Sequence, residues 1–145
     1  VFAGYWGLPE KTREEFTADG FFRTGDMGRF DSEGYLAIIG RDKDLIITGG
    51  LNVYPKEIEE AIDTLPGVAE SAVIGLPHPD FGEAVTAVVV RGRDASGLTA
   101  EGIIAALKGN IAGFKVPKAV HFVDDLPRNA MGKVQKNLLR QRFAG

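Results

Sequence analysis

The stretch Gly40–Ile62, GRDKDLIITGGLNVYPKEIEEAI, decides how the rest of the chain is read. Its four alternating charges, Arg41-Asp42-Lys43-Asp44, suit a solvated turn. A short apolar run, Leu45-Ile46-Ile47, comes next, then the pair Gly49-Gly50 and Asn52. Paired glycines accept positive φ and close approach of other groups, so this segment suits a hairpin with an adaptable tip. Pro55 then opens a helix, because its fixed φ and absent N–H fit the first helical turn. A charged turn, a glycine hairpin and a firm helix in succession describe a joint with a moving tip.

Downstream, the pattern predicts a small α+β domain. Ile58, Ala61, Ile62 and Leu65 recur at helical spacing and define one apolar face. Glu57, Glu59 and Glu60 are expected on the other side, near the helix start where the dipole favours acids. Pro66-Gly67 ends this helix. Val68–Leu76 reads as a strand, Pro77-His78-Pro79-Asp80 as a turn, and Glu83–Arg91 as a second strand. The run Val88-Val89-Val90 implies burial on both faces of the sheet. Thr99 is placed to cap a helix with the apolar stripe Ile103, Ile104, Leu107, Ile111 and Phe114. Ala119–Val123 is a third strand, Asp124–Gly132 a polar loop, and Gln135–Phe143 a short basic helix. About three strands with flanking helices, plus the glycine hairpin, make a domain of residues 43–145.

Upstream, residues 1–42 hold too little apolar surface for a core of their own. Leu8–Thr12 has turn chemistry, Thr12–Phe16 suits one helical turn, and Phe21–Thr24 has strand composition ended by Gly25-Asp26. Arg29-Phe30 is expected to pair with Tyr35–Ile39 across the hairpin loop Asp31-Ser32-Glu33-Gly34. These strands are expected to complete a sheet of a larger N-terminal domain, and the chain reads as cut from a longer protein.

Composition narrows the function classes. The 145 residues carry a formal net charge of −3 and no cysteine. Disulfides and thiolate zinc sites are thereby excluded, and the pattern fits a cytoplasmic location. No run of about 18 apolar residues exists to span a membrane. The mild acidity argues against nucleic acid, despite the basic tail. His78 and His121 lack any metal-ligand spacing, and neither a Walker A loop nor a G-x-S-x-G elbow occurs.

Four segments could carry chemistry. In Arg23-Thr24-Gly25-Asp26, an Asp beside a Gly could accept bonds from a vicinal diol, or simply hold its own turn. The charged cluster Gly40–Asp44 and the hairpin Thr48–Asn52 each have a plain turn reading. In Leu126–Lys133, a lysine following a glycine on a loop could reach an anion with three donors on a point charge. Read singly, each is weak.

In order, however, FFRTGD, GRDKDLIITGGLNVYPKEIE, PGVAESAVIGLPHPDFGEAVTAVVV and FKVPKAVHFVDDLPRNAMGKVQK resemble the adenylate-forming acyl-CoA synthetases, the superfamily that includes luciferase and peptide-synthetase adenylation domains. The resemblance covers nearly the whole chain and corresponds to the last quarter of such an enzyme. Residues 1–42 would be the end of the large N-terminal domain and 43–145 the mobile C-terminal lid. Such enzymes join a carboxylic acid to ATP as an acyl-AMP, then transfer the acyl group to CoA after the lid swings.

The resemblance implies roles for particular residues. Asp26 would hold the ribose hydroxyls, and Arg41 would contact the ribose or the CoA nucleotide. Lys43 matches the hinge position. Lys133 would be the adenylation lysine, set between the attacking carboxylate and the α-phosphate. Gly49 and Gly50 would line the pantetheine tunnel during thioester formation, while Phe114, Lys115 and Lys118 match positions near the CoA adenine and phosphates. Val116 stands where some relatives carry Arg. The magnesium ligands, the phosphate loop and the acyl pocket would belong to the N-terminal domain, so no metal is expected on this chain and the fragment alone is expected to be inactive. The wording of the motifs is most similar to malonyl-CoA synthetases, with a fatty-acyl or aryl-CoA ligase as the alternative. A non-catalytic lid is the competing reading. Pro127 followed by Gly132-Lys133 also resembles a site modified by protein lysine acetyltransferases, which would make Lys133 an acetylation target.

Overall fold

The structure, a computed structural model, describes residues 2–144. The chain divides into two compact units, Val1–Lys43 and Asp44–Gly145.

In the first unit, helix α1 spans Pro9–Glu15 and strands β1 (Asp26–Phe30) and β2 (Leu36–Arg41) form an antiparallel hairpin. The helix begins at Pro9, within the stretch Leu8–Thr12 expected as a turn and ahead of the helical turn expected at Thr12–Phe16, because proline suits the first helical position. Phe2 meets Tyr5, Phe16 and Phe22 edge to face at centroid distances of 5.1, 5.5 and 5.2 Å, an arrangement favoured by the ring quadrupoles. The strand expected over Phe21–Thr24 does not form. Among the described residues Phe22 meets Phe16 in an isolated bridge, with Thr17 N donating to Phe21 O and Arg23 N to Glu15 O, and the strand starts instead at Asp26. Asp31 closes the hairpin loop by accepting from the backbone N–H groups of Glu33 and Tyr35, both at 2.9 Å. Phe30, Tyr35, Leu36 and Ile38 remain at least half exposed on this hairpin.

The second unit is a five-stranded sheet with helices on both faces. Its strands are β3 (Ile46–Thr48), β4 (Leu51–Val53), β5 (Val68–His78), β6 (Gly82–Arg91) and β7 (Ala119–Val123). β6 is central. It pairs antiparallel with β5 along its length, parallel with β7, and with β3 at the single position Thr48–Gly82. The glycine hairpin is therefore part of the sheet rather than an appendage to three strands. Helices α2 (Pro55–Asp63), α3 (Ala100–Lys108) and α4 (Lys136–Phe143) complete the unit.

Alternation along the strands divides the core. Val73, Val85, Ala87 and Val89 pack with Ile58, Ile62, Ile103 and Leu107 on the face covered by α2 and α3. Ala72, Ile74 and Val88 pack with Leu126 and Leu139 of α4 on the other face. Val88 and Val89 thus enter different clusters, as two-sided burial of β6 requires. The expected cap forms: Thr99 Oγ1 accepts from Gly102 N at 3.0 Å.

Three local expectations are corrected. Pro77 and His78 continue β5 instead of turning, because β5 is an edge strand and tolerates a proline without a donor. Helix α3 stops at Lys108, so Phe114 leaves the apolar stripe and lies half-exposed in a 3₁₀ turn, Gly113–Lys115. Glu59 does not face solvent. Its carboxylate accepts from Val73 N on the free edge of β5 at 2.7 Å and pairs with Lys136 Nζ at 2.6 Å.

Candidate functional site

In the first unit, the register of β1 and β2 sets Asp26 opposite Arg41, and Arg41 Nε lies 3.3 Å from Asp26 Oδ1. Thr24 Oγ1 accepts from Asp26 N at 3.1 Å, and Asp42 N donates to Gly25 O at 3.0 Å. The carboxylate is thus held at the mouth of a turn, with one cation beside it and a second oxygen available to a donor. This arrangement suits a diol or another polar ligand group. Lys43 lies in the 3₁₀ turn Asp42–Asp44, at the last residue before the second unit begins.

In the second unit, Gly49 and Gly50 form the two-residue turn between β3 and β4, with φ of 56° and 78°. Positive φ at both central positions is the demand of a type I′ hairpin. A methyl built on either glycine would meet nothing within 4 Å, so the tip is open to an approaching ligand. Ile47 and Leu51 flank it, each about half exposed. Gly49 N donates to Phe81 O at 2.8 Å. Phe81 stacks on His78 at 4.7 Å, and Lys118 Nζ lies 5.3 Å from its ring centroid.

The sequence-predicted trio after α3 separates. Lys118 is exposed beside Phe81 and borders a shallow cleft of about 570 Å³ with Ile104, Lys108, Gly113, Val116 and Pro117. Phe114 is exposed beyond it. Lys115 donates to both carboxylate oxygens of Glu57 at 2.7 Å, which engages two of its three donors and partly neutralises its charge. Val116 is a buried part of the cleft wall.

Lys133 sits at the end of a closely tied loop. Asn129 Oδ1 accepts from Met131 N and Lys133 N, both at 3.0 Å, while Asn129 N donates to Lys133 O at 2.9 Å. Arg128 donates to Gly132 O at 2.7 Å through Nη1 and contacts Glu70 of β5 through Nη2. The loop is therefore fastened to the sheet while the Lys133 side chain is exposed, and among the described residues no carboxylate pairs with it.

These contacts put the two candidate tips at opposite ends of one sheet. The Lys133 loop is anchored at Glu70, near the start of β5, and the glycine hairpin at Phe81 and Gly82, beyond its end. The strand from Glu70 to His78 is about 25 Å long at the rise of extended chain. Sequence reasoning singled out Lys133 and the glycines but missed the contacts of Glu70, Glu83, Arg128 and Asn129, which hold the two tips. Only Asn129 carried a usable signal, as a turn-forming residue ahead of a glycine.

Among the described residues no group of three or more His, Cys, Asp or Glu side chains is placed to hold a metal ion. No helix among them is long and apolar enough to cross a membrane.

A small sheet with helices on both faces, a glycine hairpin at one end and a lysine loop at the other defines a known class. The chain belongs to the AMP-binding enzyme C-terminal domain family, which matches residues 57–133, more than half of its length. Among solved structures, ATP-bound MatB from Rhodopseudomonas palustris is 61% identical with a TM-score of 0.90, over 99% of this chain and 28% of that one. A curated relative from Rhodococcus jostii, 3-[(3aS,4S,7aS)-7a-methyl-1,5-dioxo-octahydro-1H-inden-4-yl]propanoyl:CoA ligase, is 49% identical over 97% of this chain and 27% of its own. The long-chain-fatty-acid–CoA ligase FadD13 of Mycobacterium tuberculosis is 47% identical, again over 97% of this chain and 27% of its own. The chain thus spans a little over a quarter of the length of the relatives it matches.

Proposed function

We propose that this chain is the C-terminal part of an ATP-dependent carboxylic acid–CoA ligase, with Asp44–Gly145 as a lid that serves two half-reactions. The observation that carries this reading is the placement of an exposed lysine loop and an open glycine hairpin at opposite ends of one sheet. A body built this way can present one tip or the other to a reaction centre by turning about Lys43. The names of the curated relatives, all CoA ligases in the comparisons above, support the reaction class.

In the first half-reaction the acid's carboxylate attacks the α-phosphorus of ATP and pyrophosphate leaves. The Lys133 ammonium would lie between the attacking oxygen and the phosphate, where negative charge builds. Asp26 would accept from the ribose hydroxyls, with Arg41 orienting it. In the second half-reaction the CoA thiol attacks the acyl carbonyl and AMP leaves. Gly49 and Gly50 would border the pantetheine, and Lys118 with Phe114 would meet the nucleotide end of CoA. Lys115 would join them with the donor that Glu57 leaves unused. The partner that completes the centre is the enzyme's own N-terminal domain, which would supply the magnesium ligands and the acyl pocket. The exposed apolar residues of the β1–β2 hairpin suit a place in that domain's sheet.

For the acid itself we favour malonate. The support is the wording of GRDKDLIITGGLNVYPKEIE and VDDLPRNAMGKVQK, which is most similar to malonyl-CoA synthetases. The exposed Lys133 loop also suits modification by a lysine acetyltransferase, which would remove the charge the first half-reaction needs.

The test uses the full-length enzyme. Pyrophosphate exchange is measured over a panel of acids, with and without Lys133→Ala. Exchange with malonate that falls by about a hundredfold or more in the variant is expected, the usual scale for removing a charge-stabilising group. Exchange with no acid in the panel, or exchange indifferent to Lys133, refutes the reading. Transfer to a carrier protein rather than to free CoA would favour a peptide-synthetase assignment instead.

A further inference from the structure

The glycine hairpin is attached to its sheet by few backbone bonds. β3 pairs with β6 only at Thr48–Gly82, and Gly49 N reaches Phe81 O. At the next donor, Ile47 N, the ladder is replaced by a side chain: Glu83 Oε2 accepts at 2.7 Å. That carboxylate occupies space left by Gly75 on the neighbouring strand. A methyl at Gly75 would lie 2.6 Å from Glu83 Oε1 and 2.9 Å from its Cδ. Gly75 has no positive φ to satisfy, so its absent side chain serves room rather than backbone conformation.

We propose that Glu83, seated over Gly75, is a positioning residue that latches the glycine hairpin and so sets Gly49 and Gly50 for thioester formation. This rests on the reading of the hairpin given above. A charge-assisted bond to a backbone N–H is among the stronger hydrogen bonds and is directional. Losing it leaves the β3–β4 hairpin tied to β6 only near Thr48–Gly82 and Gly49–Phe81, and does not touch the bonds of the Lys133 loop at the far end of β5.

The experiment uses the full-length enzyme with Glu83→Ala, Glu83→Gln and Gly75→Ala. Gln keeps an acceptor oxygen; Ala at position 75 displaces the carboxylate without altering it. Acyl-AMP formation, CoA transfer from preformed acyl-AMP, and hydrogen exchange of the peptide covering Ile47–Leu51 are measured. Glu83→Ala and Gly75→Ala are expected to raise hairpin exchange and slow CoA transfer about tenfold, with adenylation changed less than about twofold and Glu83→Gln largely restoring transfer, as loss of one charged hydrogen bond would give. Unchanged hairpin exchange overturns the latch. Faster exchange with undiminished CoA transfer overturns the proposal through the hairpin's assigned role instead. Equal loss of both half-reactions overturns it as general destabilisation.

Discussion

Glu59 is the side chain whose loss the fold should tolerate least among its acids. It closes the Val73 N–H on the free edge of β5 and pairs with Lys136, and the two side chains are only 18% and 15% exposed. Glu59→Ala removes both partners at once. An orphaned buried donor costs about 1–3 kcal/mol, and breaking a buried pair from one side about 3–5 kcal/mol. The residual exposure lets water meet part of each demand, so we expect about 3 kcal/mol of lost stability. For a unit of this size that is a fall in Tm of roughly 12–20 °C. Glu59→Gln keeps an acceptor for Val73 and should lose about half as much. Adding Lys136→Met to Glu59→Gln removes the stranded ammonium and should recover part of that loss. Urea unfolding followed by circular dichroism reads the α2–β5–α4 unit, with exchange of the Val73 amide as a local check. A Glu59→Ala protein within about 0.5 kcal/mol of wild type, the range of ordinary surface changes, would refute the assignment of Glu59 as a buried tie.

Three further outcomes follow from the geometry. Asn129→Ala removes the two side-chain bonds to Met131 N and Lys133 N and should slow acyl-AMP formation about tenfold while sparing CoA transfer, as half-reaction kinetics would show. Gly50→Val puts a β-branched residue at φ 78° and should cost about 1–3 kcal/mol of hairpin stability, read as faster amide exchange at Gly49–Asn52 and slower CoA transfer. Lys43→Pro fixes φ near −65° and should leave one half-reaction working while crippling the other; equal loss of both would place the joint elsewhere.

Much of the framework was legible in the residues themselves. The helical spacing of Ile58 and Ile62, the run Val88-Val89-Val90 in β6, and the Thr99 cap are local signals, and a helix, a two-sided strand and a capped helix form there. Failures came where a local preference lacked a partner. Phe21–Thr24 has strand composition but no strand beside it, whereas Pro77-His78, turn-like in sequence, is drawn into β5 by pairing with Glu83 and Gly82.

The sequence by itself determined the apolar faces, the two-glycine turn and the lysine loop, because each depends on residues within a few positions of one another. Only the tertiary structure decided what the acids do. Glu59, Glu70 and Glu83 are alike as exposed-looking carboxylates on amphipathic elements. Their partners, Val73 with Lys136, Arg128, and Ile47, are distant in the chain and meet them only when the strands assemble. The distance between the lysine loop and the glycine hairpin is likewise a property of the assembled sheet: it is the length of β5, set by the pairing of β5 with β6 rather than by the spacing of the residues along the chain.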